Sequence, residues 1–184
     1  ATKYGSIDNA FVENGTEITV PDGIAHFLEH KLFENEDGSD SFSRFSALGA
    51  DANAYTSYQR TAYLFSCTVN FEESLEELLR FVTTPHFTEA SVKKEQGIIA
   101  EEIRMNADDP WEVCYAEMLR GLYAPVKKGG NPVCEAICGT VSSIRRITPA
   151  VLQEAYDAHY RPENMVLAVS GPITLEEVIA VANR

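Results

Sequence analysis

Residues 23–34 read Gly-Ile-Ala-His-Phe-Leu-Glu-His-Lys-Leu-Phe-Glu, and the HFLEH core from His26 to His30 decides how the rest of the chain is understood. At 3.6 residues per turn, histidines four apart stand one above the other on one face of a helix. Glu29 then lies about 100° around from His30 and about 60° from His26, overhanging the edge of the pair. A carboxylate there suits a base acting on water held by a metal ion. Pro21-Asp22-Gly23 is a turn or helix-entry signal, and Ile24, Ala25, Phe27, Leu28, Leu32 and Phe33 make the stretch mostly apolar, so a largely buried helix is predicted. Two histidines and an acid on such a helix need partners, because desolvating them unpaired costs several kcal/mol.

The order H-x-x-E-H inverts the commoner H-E-x-x-H pattern, as in the inverted zincins. Two imidazoles alone leave a metal pair and a structural pair of histidines equally open, so a third ligand is decisive. A structural zinc is closed by four protein ligands, whereas a catalytic one takes three and keeps a position for water. The best source is TEASVKKEQGIIAEEIRMN, Thr88 to Asn106, where Thr88 is a candidate N-cap and Asp108-Asp109-Pro110 stops the helix. Its inward stripe is expected to run Val92, Glu95, Ile99, Glu102, Ile103, Asn106, with Ile98 beside it. Glu101 falls on the opposite side near Arg104, so helical phase selects Glu102 as the ligand. Glu95 lies two turns earlier, about 10 Å along the axis, too far to bind the same ion. Hydrogen-bonding a ligand histidine or lining the cleft suits it better. The alternative for both glutamates is a pair of long side chains reaching to solvent from a half-exposed helix.

DANAYTSY and TAYLFSCTV are expected to be two strands joined by a polar turn at Gln59-Arg60, with alternation in Tyr63, Phe65, Cys67 and Val69. Short helices are predicted over 39–48, 71–82, 110–122 and 149–159, the last after an N-cap at Thr148. Asn164 to Ser170 reads as a compact apolar strand, and Thr174-Leu175-Glu176-Glu177 as a capping box opening a last helix. The Gly/Pro-rich stretch between Tyr123 and Thr140 reads as the least ordered loop. The expected class is α+β: a mixed, mostly antiparallel sheet with helices packed on one face.

Together these blocks resemble the pitrilysin/insulinase family of zinc metallopeptidases. The resemblance runs through GIAHFLEHKLFE, NAYTS from Asn53, EQGIIAEEI from Glu95, Gly139-Thr140 with Ser143-Ile144 and Ile147-Thr148, and HYRPENMVLAVSG from His159. It implies Zn2+ on His26, His30 and Glu102, and a catalytic pair of Glu29 as general base and Glu95 as auxiliary. It also implies an edge strand, Asn53, Ala54, Tyr55 and Thr56, that takes the peptide substrate as an added strand. That agrees with the backbone groups an edge strand offers to any extended peptide. Hydrolysis of peptides by zinc-activated water is the reaction implied. A second homologous domain or subunit, bringing an arginine and a tyrosine, is the partner implied. At 184 residues, beginning ATKYGSID without methionine, residues 1–184 are read as a single N-terminal catalytic half, trimmed at both ends.

Composition sets the remaining bounds. Fifteen lysines and arginines against 28 acidic residues give a net charge of -13 without a basic cluster, which disfavours nucleic acid and anionic lipid as partners. No apolar run is long enough to span a membrane. Four cysteines do not form a disulfide frame in a chain this rich in core residues; Cys67 and Cys114 are expected in the core, and Cys134-x3-Cys138 is a weak metal pair. His86 and His159 are read as structural. No signal segment is visible, so a reducing cytoplasm is the default expectation. Two alternatives stand beside the peptidase: a lyase acting on S-ribosylhomocysteine, which uses H-x-x-E-H and completes its site with cysteine, and a family member kept as a scaffold or processing partner. Chain length favours the lyase; the Glu95/Glu102 helix and the NAYT strand favour the peptidase, and more strongly.

Overall fold

The structure, a computed structural model, describes residues 1–13, 15–123 and 131–184. Its elements run β1 (Ala10–Glu13), β2 (Thr16–Thr19), α1 (Ile24–Leu32), α2 (Ser41–Leu48), β3 (Ala50–Thr56), β4 (Thr61–Cys67), α3 (Phe71–Thr83), α4 (Glu89–Asp108), α5 (Pro110–Tyr123), α6 (Val141–Ile144), α7 (Pro149–His159) and α8 (Leu175–Ala182). The class is α+β, and among the described residues the strands form two antiparallel hairpins, β1–β2 and β3–β4. Among the described residues no helix is long and apolar enough to cross a membrane.

Helix α1 is the centre of the molecule. Eight of its nine residues are buried, and it touches β3, β4, α4 and α7. Ile24, Phe27, Leu28 and Leu32 pack into one cluster with Tyr4, Phe45, Phe81, Ile99, Ile144, Ile147 and Leu152. Even Lys31 is fully buried, its ammonium paired with Glu34. Beyond α1, Arg80 of α3 donates to Asn35 (2.9 Å) and pairs with Glu77, which ties the following loop to the core.

Helix boundaries follow their caps. Thr88 and Ser91 form a capping box on α4, Thr148 caps α7, and Thr174 with Glu177 forms the expected box on α8. Helix α6, which the periodicity does not show, opens with the box Thr140/Ser143. The start of α1 is set differently. Gly23, at φ 90°, crosses Gly139, at φ 72°, so closely that a Cβ on Gly23 would lie 2.4 Å from the Cys138 carbonyl oxygen, and one on Gly139 2.4 Å from that of Asp22. Two glycines thus let the loop before α6 clamp the entry to α1.

Several expectations change. Residues 164–170 are not a strand: only Met165 bridges, to Thr2, while Val166 exchanges hydrogen bonds with Ala1. A strand needs a ladder, and among the described residues none forms beyond the bridge at Met165 and the pair made by Val166 with Ala1. Ile98 is 46% exposed and belongs to the outer face of α4, one residue out of phase with Ile99. Cys114 is exposed rather than in the core, because α5 lies at the surface with Leu119 its one buried residue. The loop over 123–140 lies partly outside the described residues; from Asn131 it is ordered by a 3-10 turn, Pro132–Cys134. His159 is structural as expected, stacked on Tyr4 (3.9 Å between ring centroids) with Phe11 at its edge.

The glycine crossing is testable. Gly38 also has positive φ (77°) but nothing within 4 Å, so Gly38→Ala pays left-handed strain alone, about 1 kcal/mol in urea unfolding. Gly23→Ala and Gly139→Ala should each lose at least ~2–3 kcal/mol, since backbone must move as well. Equal losses at all three positions would remove the clamp from the account.

Candidate metal centre

Helices α1 and α4 cross so that the polar faces predicted for each meet. His26 Nε2 lies 3.5 Å from Glu102 Oε1, and His30 Nε2 lies 3.5 Å from Glu102 Oε2. The imidazole centroids are 4.6 Å apart, as four-residue spacing dictates. Among the described residues, His26, His30 and Glu102 are the group whose donor atoms, all within 4.8 Å of one another, could hold a metal ion. Two ligands each about 2.0–2.2 Å from one tetrahedral ion lie roughly 3.4 Å apart, so this spacing and donor set fit zinc with a fourth position open. No cysteine belongs to the group, which separates it from the lyase-type site.

Helical phase explains the selection. Glu101 points outward into an ion pair with Arg104, while Glu102 turns inward. Glu95, two turns earlier, does not join the group; its Oε1 lies 2.9 Å from His30 Nδ1. An imidazole held this way presents Nε2 to the centre with ring and tautomer set. The other histidine lacks such support: His26 Nδ1 is buried without a hydrogen-bond partner among the described residues.

The two imidazoles differ electrically. Burial, then the neighbouring His30, push His26 down to about 4, so it is neutral at pH 7 with a lone pair available. Burial also opposes charge on His30, yet the hydrogen bond and charge of Glu95, with Glu102 and Glu29 behind them, outweigh it and hold its pKa above the ordinary 6.5. Burial raises Glu29, and the hydrogen bond from Thr56 pulls the other way.

Strand β3 runs along the side of the centre. Ala54 N–H donates to Asn53 Oδ1 (2.9 Å), so it points away from β4, and by antiparallel alternation Ala52 and Thr56 present their backbone groups to the same open edge. Asn53 and Tyr55 have outward side chains, with the Arg60 guanidinium 5.8 Å over the Tyr55 ring. The Thr56 side chain turns the other way, its hydroxyl donating to Glu29 Oε2 (2.5 Å).

A cleft of about 610 Å³ joins these pieces; His26, Glu29, Thr56 and Glu102 line one side, and α5 with the 3-10 turn lines the other. Tyr115, Leu119 and Cys134 on that far wall were not foreseen. Their only signal in the sequence is that Tyr115 and Leu119 are four apart on a predicted helix.

Comparison with known proteins now bears on this geometry. The model of the insulinase family, peptidase family M16, matches residues 15–129, and that of the M16 inactive domain matches 146–184. The chain belongs to peptidase family M16. A Bacillus subtilis protein named as the uncharacterized zinc protease YmfH is 51% identical over 181 residues, 97% of this chain and 41% of that protein. The crystal structure of an M16-like peptidase from Alicyclobacillus acidocaldarius superposes with a TM-score of 0.91 at 45% identity, over 98% of this chain and 41% of that one. That of the first half of the periplasmic protease PqqL from Escherichia coli gives 0.76 at 25%, covering 99% and 38%. The chain thus spans about two fifths of the curated relative and of these solved structures. Zinc is the metal in the name of YmfH and of the curated PqqL protein, and the cofactor of this family.

In metal-free protein the histidines should titrate far apart by NMR, His26 near 4 and His30 above 6.5. Glu95→Gln removes the acceptor charge that favours the imidazolium, so His30, which loses a charged hydrogen-bond partner as well, should move down further than His26. An unmoved His30 would show that Glu95 does not act on it.

Proposed function

We propose that this chain is the catalytic half of a zinc metallopeptidase that hydrolyses peptide bonds. The observation that carries the reading is the meeting of donor atoms of His26, His30 and Glu102 within 4.8 Å of one another, with Glu29 beside them and an open strand edge along the same cleft. His26 and His30 through Nε2, and Glu102 through its carboxylate, are the residues that would hold the ion. When bound, zinc polarises the scissile carbonyl and brings the pKa of a water towards 7.

The chain's own residues account for the rest. Glu29 does not belong to the ligand group, and its carboxylate serves as general base, taking the proton and passing it to the leaving amine. Its burial favours this use, because a raised pKa brings it closer to the working pH. Glu95 acts through His30, holding the ring rather than touching substrate. Ala52, Ala54 and Thr56 offer outward backbone groups that a peptide joins as an extended strand, so binding reads main chain more than side chain. A second homologous domain or subunit completes the enzyme; the support is the coverage of two fifths of its relatives and the match to a solved first half.

Metal content tests the assignment without needing that second half. Wild type and Glu29→Gln should each bind one zinc per chain, whereas His30→Ala and Glu102→Ala bind none. Glu95→Gln should weaken zinc by about 10- to 100-fold. In the longer protein Glu29→Gln should abolish peptide cleavage with zinc in place. Full activity in that variant would overturn the role of Glu29, and zinc retained by Glu102→Ala would overturn the ligand set.

A further inference from the structure

Strand β3 has a second use that its open edge does not reveal. We propose that Thr56 is a positioning residue for Glu29, its hydroxyl setting which way the carboxylate of the base faces; the proposal rests on reading Glu29 as the base.

The geometry is specific. An ionised carboxylate only accepts, so Thr56 Oγ1 must donate its single proton to Glu29 Oε2. Oε1 makes no protein hydrogen bond among the described residues, so one oxygen is tethered and the other is left for chemistry. Glu29 receives no other hydrogen bond there; without Thr56 its orientation would rest on packing alone.

The tether is itself anchored. Thr56 pairs across the turn with Thr61, which is fully buried and lies 3.3 Å away hydroxyl to hydroxyl. Thr61 donates its single proton to the Tyr4 carbonyl (3.0 Å) and Thr56 donates its own to Glu29, so the two hydroxyls meet as a packing contact. A fully buried Thr61, fixed by the Tyr4 carbonyl and packed 3.3 Å from Thr56 Oγ1, leaves the Thr56 side chain little room to turn from Glu29.

Strand alternation gives the arrangement its consequence. At Thr56 the backbone faces the open edge while the side chain faces α1. One residue therefore ties the base on the helix to the strand proposed to receive the peptide. Any shift of β3 against α1 would move substrate and base apart unless this contact held them.

The test compares Thr56→Val, which keeps shape and strand preference but has no hydroxyl, with Thr56→Ser, which keeps the hydroxyl. Crystal structures of both, with zinc, read the carboxylate directly. In the Ser variant Oε2 should stay on residue 56, and in the Val variant the carboxylate should leave that position or take more than one. On an unstructured fluorogenic peptide, the longer protein carrying Thr56→Val should lose about 10- to 100-fold in kcat with KM within about twofold, and Ser should recover most of it. Zinc should stay at one per chain in both.

An unmoved carboxylate in the Val variant overturns the proposal, as does unchanged kcat. A rise in KM alone also overturns it, assigning Thr56 to peptide binding only, and so does a failure of Ser to rescue. Should the wild-type enzyme cleave no peptide, the reading of Glu29 as base falls, while the carboxylate position still decides the claim about Thr56.

Discussion

The desolvation of α1 is the constraint on which the rest depends. A helix with eight of nine residues buried carries two imidazoles and a carboxylate into a region where unpaired polar groups cost several kcal/mol each. Packing cannot relieve that cost, so partners must come from other elements at fixed distances. Helix α4 brings Glu95 and Glu102, and β3 brings Thr56. The crossing of α1 with α4 and the lie of β3 along α1 are thus set by polar satisfaction as much as by apolar contact. The Gly23–Gly139 crossing acts on the same helix from its other end, where a Cβ would push the loop away.

Much of this was legible because helical phase is a local property. The period of 3.6 separates Glu101 from Glu102, puts Glu95 on the face of Glu102, and stacks His26 over His30. Caps were legible for the same reason: Thr88, Thr148 and Thr174 each satisfy donors three residues away. Phase failed only at a boundary, where Ile98, one step from Ile99, turns outward.

Features that depend on a distant segment were not legible. Residues 164–170 have the composition of a strand, but strand formation belongs to a pair, and the ladder stops at Ala1 and Thr2. Thr56 illustrates the same limit in the site. Its alternation in NAYT is visible, yet nothing local says that its hydroxyl meets Glu29, 27 residues earlier in the chain. The backbone clamp between Gly23 and Gly139 has no signature beyond two glycines. The far wall of the cleft depends on how α5 lies against α4, a matter of packing rather than of pattern.

The site's charges would make the proposed metal part of the fold's energetics. Glu29, Glu95 and Glu102 face a neutral His26 and a His30 whose pKa is raised mainly through Glu95. A dication among them turns mutual repulsion of carboxylates into attraction, in a setting where low polarisability strengthens both. It also competes with the proton on His30, which must leave before Nε2 can bind. The same glutamate that favours that proton holds the ring through Nδ1, so Glu95 raises the basicity of the ligand while leaving Nε2 free. In the proposed centre one carboxylate outside the ligand group would thereby supply both affinity and orientation, which a spacing of seven residues between Glu95 and Glu102, two turns of one helix, allows and two adjacent acids would not.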